Sequence, residues 1–215
     1  MAVLKNCPHG HTLEALGRQP KAPEQKAGES ASVSGVICFR SLLLRIPLRR
    51  RHFIAKHAVM RYWLLKSEPD AFSFDDLKKR ARKTEPWNGV RNYQARNFMR
   101  DDMNVGDLGL FYHSSCAEPG VAGVVKITRE AYPDASQFDP QSEYFDAGSK
   151  REDPRWVMVD VTWQADVAKF VGLQQLRDDP ALANLLILRR GNRLSITPVE
   201  AAHFRRICKL GGVKL

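Results

Sequence analysis

Leu108-Gly109-Leu110-Phe111-Tyr112-His113 and, after a loop, Val121-Ala122-Gly123-Val124-Val125-Lys126-Ile127-Thr128 carry the reading of the fold. Both runs are short, apolar and rich in β-branched or aromatic residues, so both read as strands. Asn104-Val105-Gly106-Asp107 turns the chain into the first. Ser114-Ser115-Cys116-Ala117-Glu118-Pro119-Gly120 joins it to the second with loop chemistry. Ala122 and Gly123 let another element approach the backbone closely. A third strand is predicted over 156–167, where Val157, Val159, Val161 and Trp163 alternate with Met158, Asp160, Thr162 and Gln164. Residues 132–155, with three X-Pro steps, read as irregular.

On the N-terminal side, Arg61–Lys66 reads as a strand ending at Ser67-Glu68-Pro69-Asp70. Ser73 caps a helix over Phe74–Arg80, acidic in its first turn and basic in its last. Thr84-Glu85-Pro86 reads as a loop into Trp87-Asn88-Gly89-Val90-Arg91-Asn92-Tyr93-Gln94-Ala95-Arg96-Asn97-Phe98-Met99-Arg100. There Asn92 can cap a helix, with Ala95, Phe98 and Met99 on one face and Arg96 and Arg100 on another. On the C-terminal side, 173–188 is helical in pieces broken near Pro180, and Arg193–Ile196 is strand-like. A last helix carries Pro198 in its first turn and ends at Gly211-Gly212. Strand, helix, helix, successive strands, then helices argues an α+β fold: a mostly antiparallel sheet curled into a barrel, with flanking helices.

Of 215 residues, 43% are apolar, enough for one substantial domain and an appendage. The net charge of +10 is uneven. Residues 1–59 hold ten lysines and arginines against three acids, and the remainder holds 24 against 21. The basic balance therefore describes the leader more than the domain, and is no blanket sign of nucleic-acid binding. Residues 1–35 have the composition of a disordered segment. Cys7, His9 and His11 within it lack a fourth group spaced for metal. The Arg-rich apolar run 36–59 suits a targeting segment, a basic arm or sequence upstream of a start at Met60. The last reading is favoured, which divides the chain into a 1–59 extension and a 60–215 domain.

No apolar run reaches eighteen residues, so no membrane partner is expected. The four cysteines, Cys7, Cys38, Cys116 and Cys208, form no CxxC pair and fit a reducing cytosol. No hydrolase elbow, P-loop or HExxH is present, so neither catalysis nor a cofactor or metal is expected.

Tyr62-Trp63-Leu64-Leu65-Lys66-Ser67-Glu68-Pro69, Trp87 to Phe98, Gly106-Asp107, Tyr112-His113-Ser114 and Arg193-Leu194-Ser195 together resemble the EVE-domain family over about 60–212. The resemblance implies a PUA-like curled barrel, kinship with YTH domains, and a reader of modified bases such as 5-methylcytosine or 5-hydroxymethylcytosine in DNA. It implies a cytoplasmic, nucleoid-accessible protein if bacterial and a nuclear one if eukaryotic. Two rivals stand beside it: a reader of a modified base in RNA, and an enzyme acting on modified nucleotides or nucleic acid.

A modified base is inspected only once flipped from the duplex and stacked in a pocket. Trp87, read as an exposed ring, is the candidate stacking face, with a core position as the alternative. Trp63 on its strand reads as core. Glu68 can accept from a cytosine amino group. Lys66 and Ser67 lie beside it. Asn92 and Asn97 offer donor and acceptor together, although Asn92 also suits a cap. Tyr112, His113 and Ser114 complete the ligand-binding set, facing the same region in the family. Arg91, Arg96 and Arg100 are the candidate phosphate contacts.

Overall fold

The computed structural model describes residues 60–215, and the readings made for 1–59 lie outside the described residues. Strand β1 is Tyr62–Ser67, followed by helix α1, Phe74–Lys79. Ser73 closes a reciprocal capping box with Asp76 at the start of α1. The stretch Thr84–Trp87 is not a loop but strand β2, paired with residues 159–162. Pro86 is tolerated because β2 is an edge strand. Helix α2 is Tyr93–Asn97, capped by the Asn92 carbonyl. It runs into a wider turn closed by Met103 N–H donating to the Phe98 carbonyl.

Strands β3, Leu108–His113, β4, Gly120–Pro133, and β5, Val157–Gly172, follow. The last two are longer than the alternation predicted. Helix α3 is Leu173–Asp178, strand β6 is Ile196–Val199, and helix α4 is Ala201–Leu210. Pro198 sits in β6 rather than opening α4, again on an edge where its missing N–H costs nothing. Among the described residues the sheet order is β2-β5-β4-β3-β1-β6. β1 pairs with β3 in parallel; the other ladders are antiparallel.

The sheet curls without closing, since β2 and β6 remain edges. Register shifts along the β4–β5 ladder bend it. Trp87 of β2 consequently reaches Phe111 of β3, its ring centroid 5.4 Å away, although β5 and β4 lie between them in the sheet. Strand alternation divides the core between the two faces. Trp63, Leu65 and Phe111 join Trp87, Leu77 and Met99 in one cluster. Leu64, Leu110 and Tyr112 pack with Leu176, Phe204 and Ile207 of the helices covering the other face. At Gly123 of β4 an added β-carbon would lie 2.0 Å from the Phe74 ring, so the close approach expected there is occupied by α1.

Candidate nucleic-acid interface

The C-terminal ends of β1 and β3 meet at one rim of the sheet. The Ser67 carbonyl accepts from Ser114 N–H at 2.9 Å. The Ser67 hydroxyl is fully buried and donates to the Phe72 carbonyl, so it closes the turn after β1. His113 Nε2 accepts from Phe74 N–H at 3.1 Å, and the ring stands edge-on to Phe111. Burial holds this imidazole below its ordinary pKa, against a weaker upward pull from Asp75.

β2 carries Trp87 into the cluster that holds Phe111, and Asn88 and Gly89 follow it directly. Gly89 has φ +77°, and a β-carbon on it would stand 2.8 Å from Tyr144 Cζ. Only glycine permits both the turn and the ring laid on it. Tyr144 is held from behind by Arg91, whose Nε and Nη2 donate to the Tyr144 carbonyl. Arg91 also donates to the Val90 carbonyl, to Asp134 and to the Ser136 hydroxyl. Asp134 is fully buried and accepts from Gly89 N–H as well. Burial alone would raise its carboxyl, but the bonds from Ser136, Arg91 and Gly89 outweigh it and hold the group ionised.

Within this frame three polar atoms are buried without a partner: Trp87 Nε1, Asn88 Oδ1 and the Tyr144 hydroxyl. They belong to adjacent residues and to the ring resting on the next one. An indole donor, an amide acceptor and a hydroxyl that does either form an incomplete hydrogen-bonding set. Burial, then the Glu143 carboxylate close to its hydroxyl, raise the Tyr144 phenol, so it stays protonated.

The structure corrects several expectations. Trp87 is not exposed: it is 1% accessible and packed across the core, so neither ring face is free to stack. Its polar edge is what remains. Tyr112 lies on the opposite face of β3 from His113, as strand alternation requires, within the second cluster. Burial pushes its phenol up to about 12. Lys66 likewise points to that second face, where its ammonium donates to the Asn192 carbonyl. Asn92 spends its carbonyl on Gln94 and Ala95 N–H, and Asn97 spends its own on Arg96.

Arg91 has all five N–H groups engaged and none left for a phosphate. Arg96 lies over Tyr93 and donates to Asn97 and the Arg155 carbonyl. Arg100 is exposed and forks onto Asp101. Ser114 bonds back to β1. Asn88 and Tyr144 went unassigned in the sequence reading. Asn88 stood inside the quoted motif, whereas Tyr144 sits in an irregular segment where no periodicity marks it.

The chain matches the EVE domain over residues 61–210. Thymocyte nuclear protein 1 of Gallus gallus is 42% identical over 166 residues, 69% of this chain and 68% of that protein. A crystal structure of human THYN1 protein in complex with 5-methylcytosine containing DNA superposes with TM-score 0.68 at 39% identity, covering 72% of this chain and 99% of that one. A Pseudomonas syringae protein superposes with TM-score 0.66 at 45% identity, covering 69% and 98%. With a family match over most of its length and relatives of this identity, the chain belongs to the EVE-domain family.

Proposed function

We propose that this protein reads a modified cytosine in DNA, taking the flipped base into the site around Gly89 and releasing it chemically unchanged. The observation that carries the reading is the buried, unpartnered set of Trp87 Nε1, Asn88 Oδ1 and the Tyr144 hydroxyl. Cytosine presents an amino donor beside ring-nitrogen and carbonyl acceptors. An indole N–H, an amide oxygen and a phenol answer that edge, with the Glu68 carboxylate as a further acceptor for the amino group. The similar human protein held with 5-methylcytosine DNA supports this choice of base. On this reading Trp87 meets the base with its indole N–H and Tyr144 with its hydroxyl, rather than with a ring face. Such a role would put the protein with nuclear DNA in a eukaryote and with the nucleoid in a bacterium. Among the described residues no helix is long and apolar enough to cross a membrane.

A buried methyl group discriminates by roughly 1–3 kcal/mol, on the order of 10–200-fold. The full chain titrated with matched duplexes carrying one cytosine, 5-methylcytosine or 5-hydroxymethylcytosine should show a preference of that order for a modified base. A matched RNA strand should bind more weakly. Tyr144→Phe and Asn88→Ala should each weaken the modified duplex about tenfold, the loss of one hydrogen bond of about 1.4 kcal/mol. Equal affinity for all duplexes would defeat the reading, as would variants that bind like the parent. Recovery of altered DNA after incubation would replace it with an enzyme.

A further inference from the structure

The three arginines read as phosphate contacts are engaged elsewhere, which leaves the DNA backbone without an obvious partner on this rim. A different cluster answers for it. The segment Arg189-Arg190-Gly191-Asn192-Arg193 follows the last short helical turn before β6. Its three arginines are exposed and take part in no ion pair among the described residues. No acid occurs between Asp179 and Glu200, and Asp179 is already engaged by Arg206. Residues 60–215 carry a surplus of three positive charges, and this single turn holds three.

The turn is also built. Asn192 staples it from both ends of its amide: Nδ2 donates to the Leu186 carbonyl at 2.7 Å and Oδ1 accepts from Leu194 N–H at 3.0 Å. Asn192 N–H closes the loop on the Arg189 carbonyl. The chain beyond it is tied to β1, where Lys66 N–H donates to the Ser195 carbonyl at 2.8 Å.

Lys66 adds an independent observation. The residue is 9% exposed, and its ammonium has one long bond, 3.5 Å, to the Asn192 carbonyl. Burial lowers its pKa and no carboxylate opposes that fall. A buried ammonium without an acid partner is costly, and so is a fixed cluster of like charges beside it. Both costs are offset when an anion docks there. Lys66 is the residue before Ser67, the last of β1, so this patch adjoins the C-terminal end of β1.

We infer that Lys66 with Arg189, Arg190 and Arg193 forms the phosphodiester-binding surface for the strand whose base enters the Gly89 site. The inference takes its ligand class from the proposed function, but not its evidence. The surface holds backbone irrespective of base, so it sets affinity and salt dependence, while the Gly89 site sets preference.

The test is binding of the full chain to an unmodified and a 5-methylcytosine oligonucleotide across a salt series. The variant is Arg189→Gln/Arg190→Gln/Arg193→Gln, and the control is Lys126→Gln/Arg129→Gln/Lys209→Gln, three exposed cations on β4 and α4. Three lost phosphate contacts should flatten the slope of log K against log salt by about 2.7 and weaken binding roughly a hundredfold near 0.15 M. Both oligonucleotides should lose equally, so any base preference survives. Uncharged methylphosphonates around the target base should erase the difference between parent and loop variant. A loop variant no worse than the control overturns the inference, and so does a difference that persists on methylphosphonates. Absent base preference in the parent defeats the base-reading proposal alone, since the slope measurement does not depend on it.

Discussion

Two tryptophans fill the same core cluster and finish differently. Trp63 is 2% exposed and Trp87 1%. The Trp63 indole donates to Asp107, whose carboxylate also accepts from Arg61 and Asn104 N–H. The indole and both carboxylate oxygens are spent on the fold. The Trp87 indole has no acceptor, and Asn88 and Tyr144 beside it repeat the deficit. A buried group left unsatisfied costs about 1–3 kcal/mol. Trp63 therefore marks an anchor, and Trp87 marks the site proposed above to take its missing partner from a ligand.

The largest effect expected from this contrast is at Asp107. Asp107→Ala takes the acceptor from one buried donor, the Trp63 indole, and from two half-buried backbone N–H groups, so urea unfolding should show a loss of about 3 kcal/mol. The base preference of the protein that remains folded should not move. A loss below about 1 kcal/mol would remove the anchor from the comparison.

A smaller and sharper effect comes from matched substitutions. Trp63→Phe and Trp87→Phe delete the same atoms from the same cluster. Only the first deprives a buried carboxylate of a donor, so it should be the more destabilising by about 1.5–2 kcal/mol, as expected for a hydrogen bond to a charged group. Binding should reverse the order, with Trp87→Phe losing affinity for the modified duplex and Trp63→Phe keeping it. If both variants lose stability and affinity in parallel, the two tryptophans are equivalent and the distinction fails.

The same contrast explains what could be read before the structure. β3 was legible because a short, mostly apolar run sits between two turn signals, and α1 because Ser73 precedes a segment acidic in its first turn and basic in its last. β2 was not, since Thr84-Glu85-Pro86 has the composition of a loop and becomes a strand only through its pairing with β5. The motif from Trp87 to Arg100 contains two of the three unpartnered atoms, on Trp87 and Asn88. Which of its atoms are spent is a tertiary fact. Arg91 looks like a phosphate ligand until Tyr144 and Asp134, 53 and 43 residues away in sequence, take its donors. Tyr144 lies in a segment without periodicity, so nothing local ties it to Gly89. Arg193 was read as the start of a strand-like run and the arginines before it carried no reading, because the charge of a turn says little until the burial of Lys66 beside it is known.

The smallest effect tests whether His113 belongs with the anchor or with the incomplete surface. It is a ligand candidate by sequence, yet its Nε2 is already satisfied by Phe74 N–H, which joins the first residue of α1 to the end of β3. That bond requires the imidazole to be unprotonated at Nε2, and burial favours the neutral ring. Its folded pKa is thus below the unfolded value of about 6.5. Below about pH 6.5 the unfolded chain takes up a proton that the folded one resists, so the stabilisation is complete above that pH and is lost as pH falls through the folded value. His113→Gln offers an acceptor that does not titrate. Urea midpoints of parent and variant should converge as the pH is lowered from about 7.5 toward 5. Midpoints that run parallel would take the ring out of the linkage. If base preference measured across the same pH range changes in the parent and not in the variant, His113 answers to the ligand and joins the Trp87 side of the comparison. If only stability changes, a ligand candidate by sequence is part of the frame, and family resemblance is a poorer guide to function than an unpaired atom.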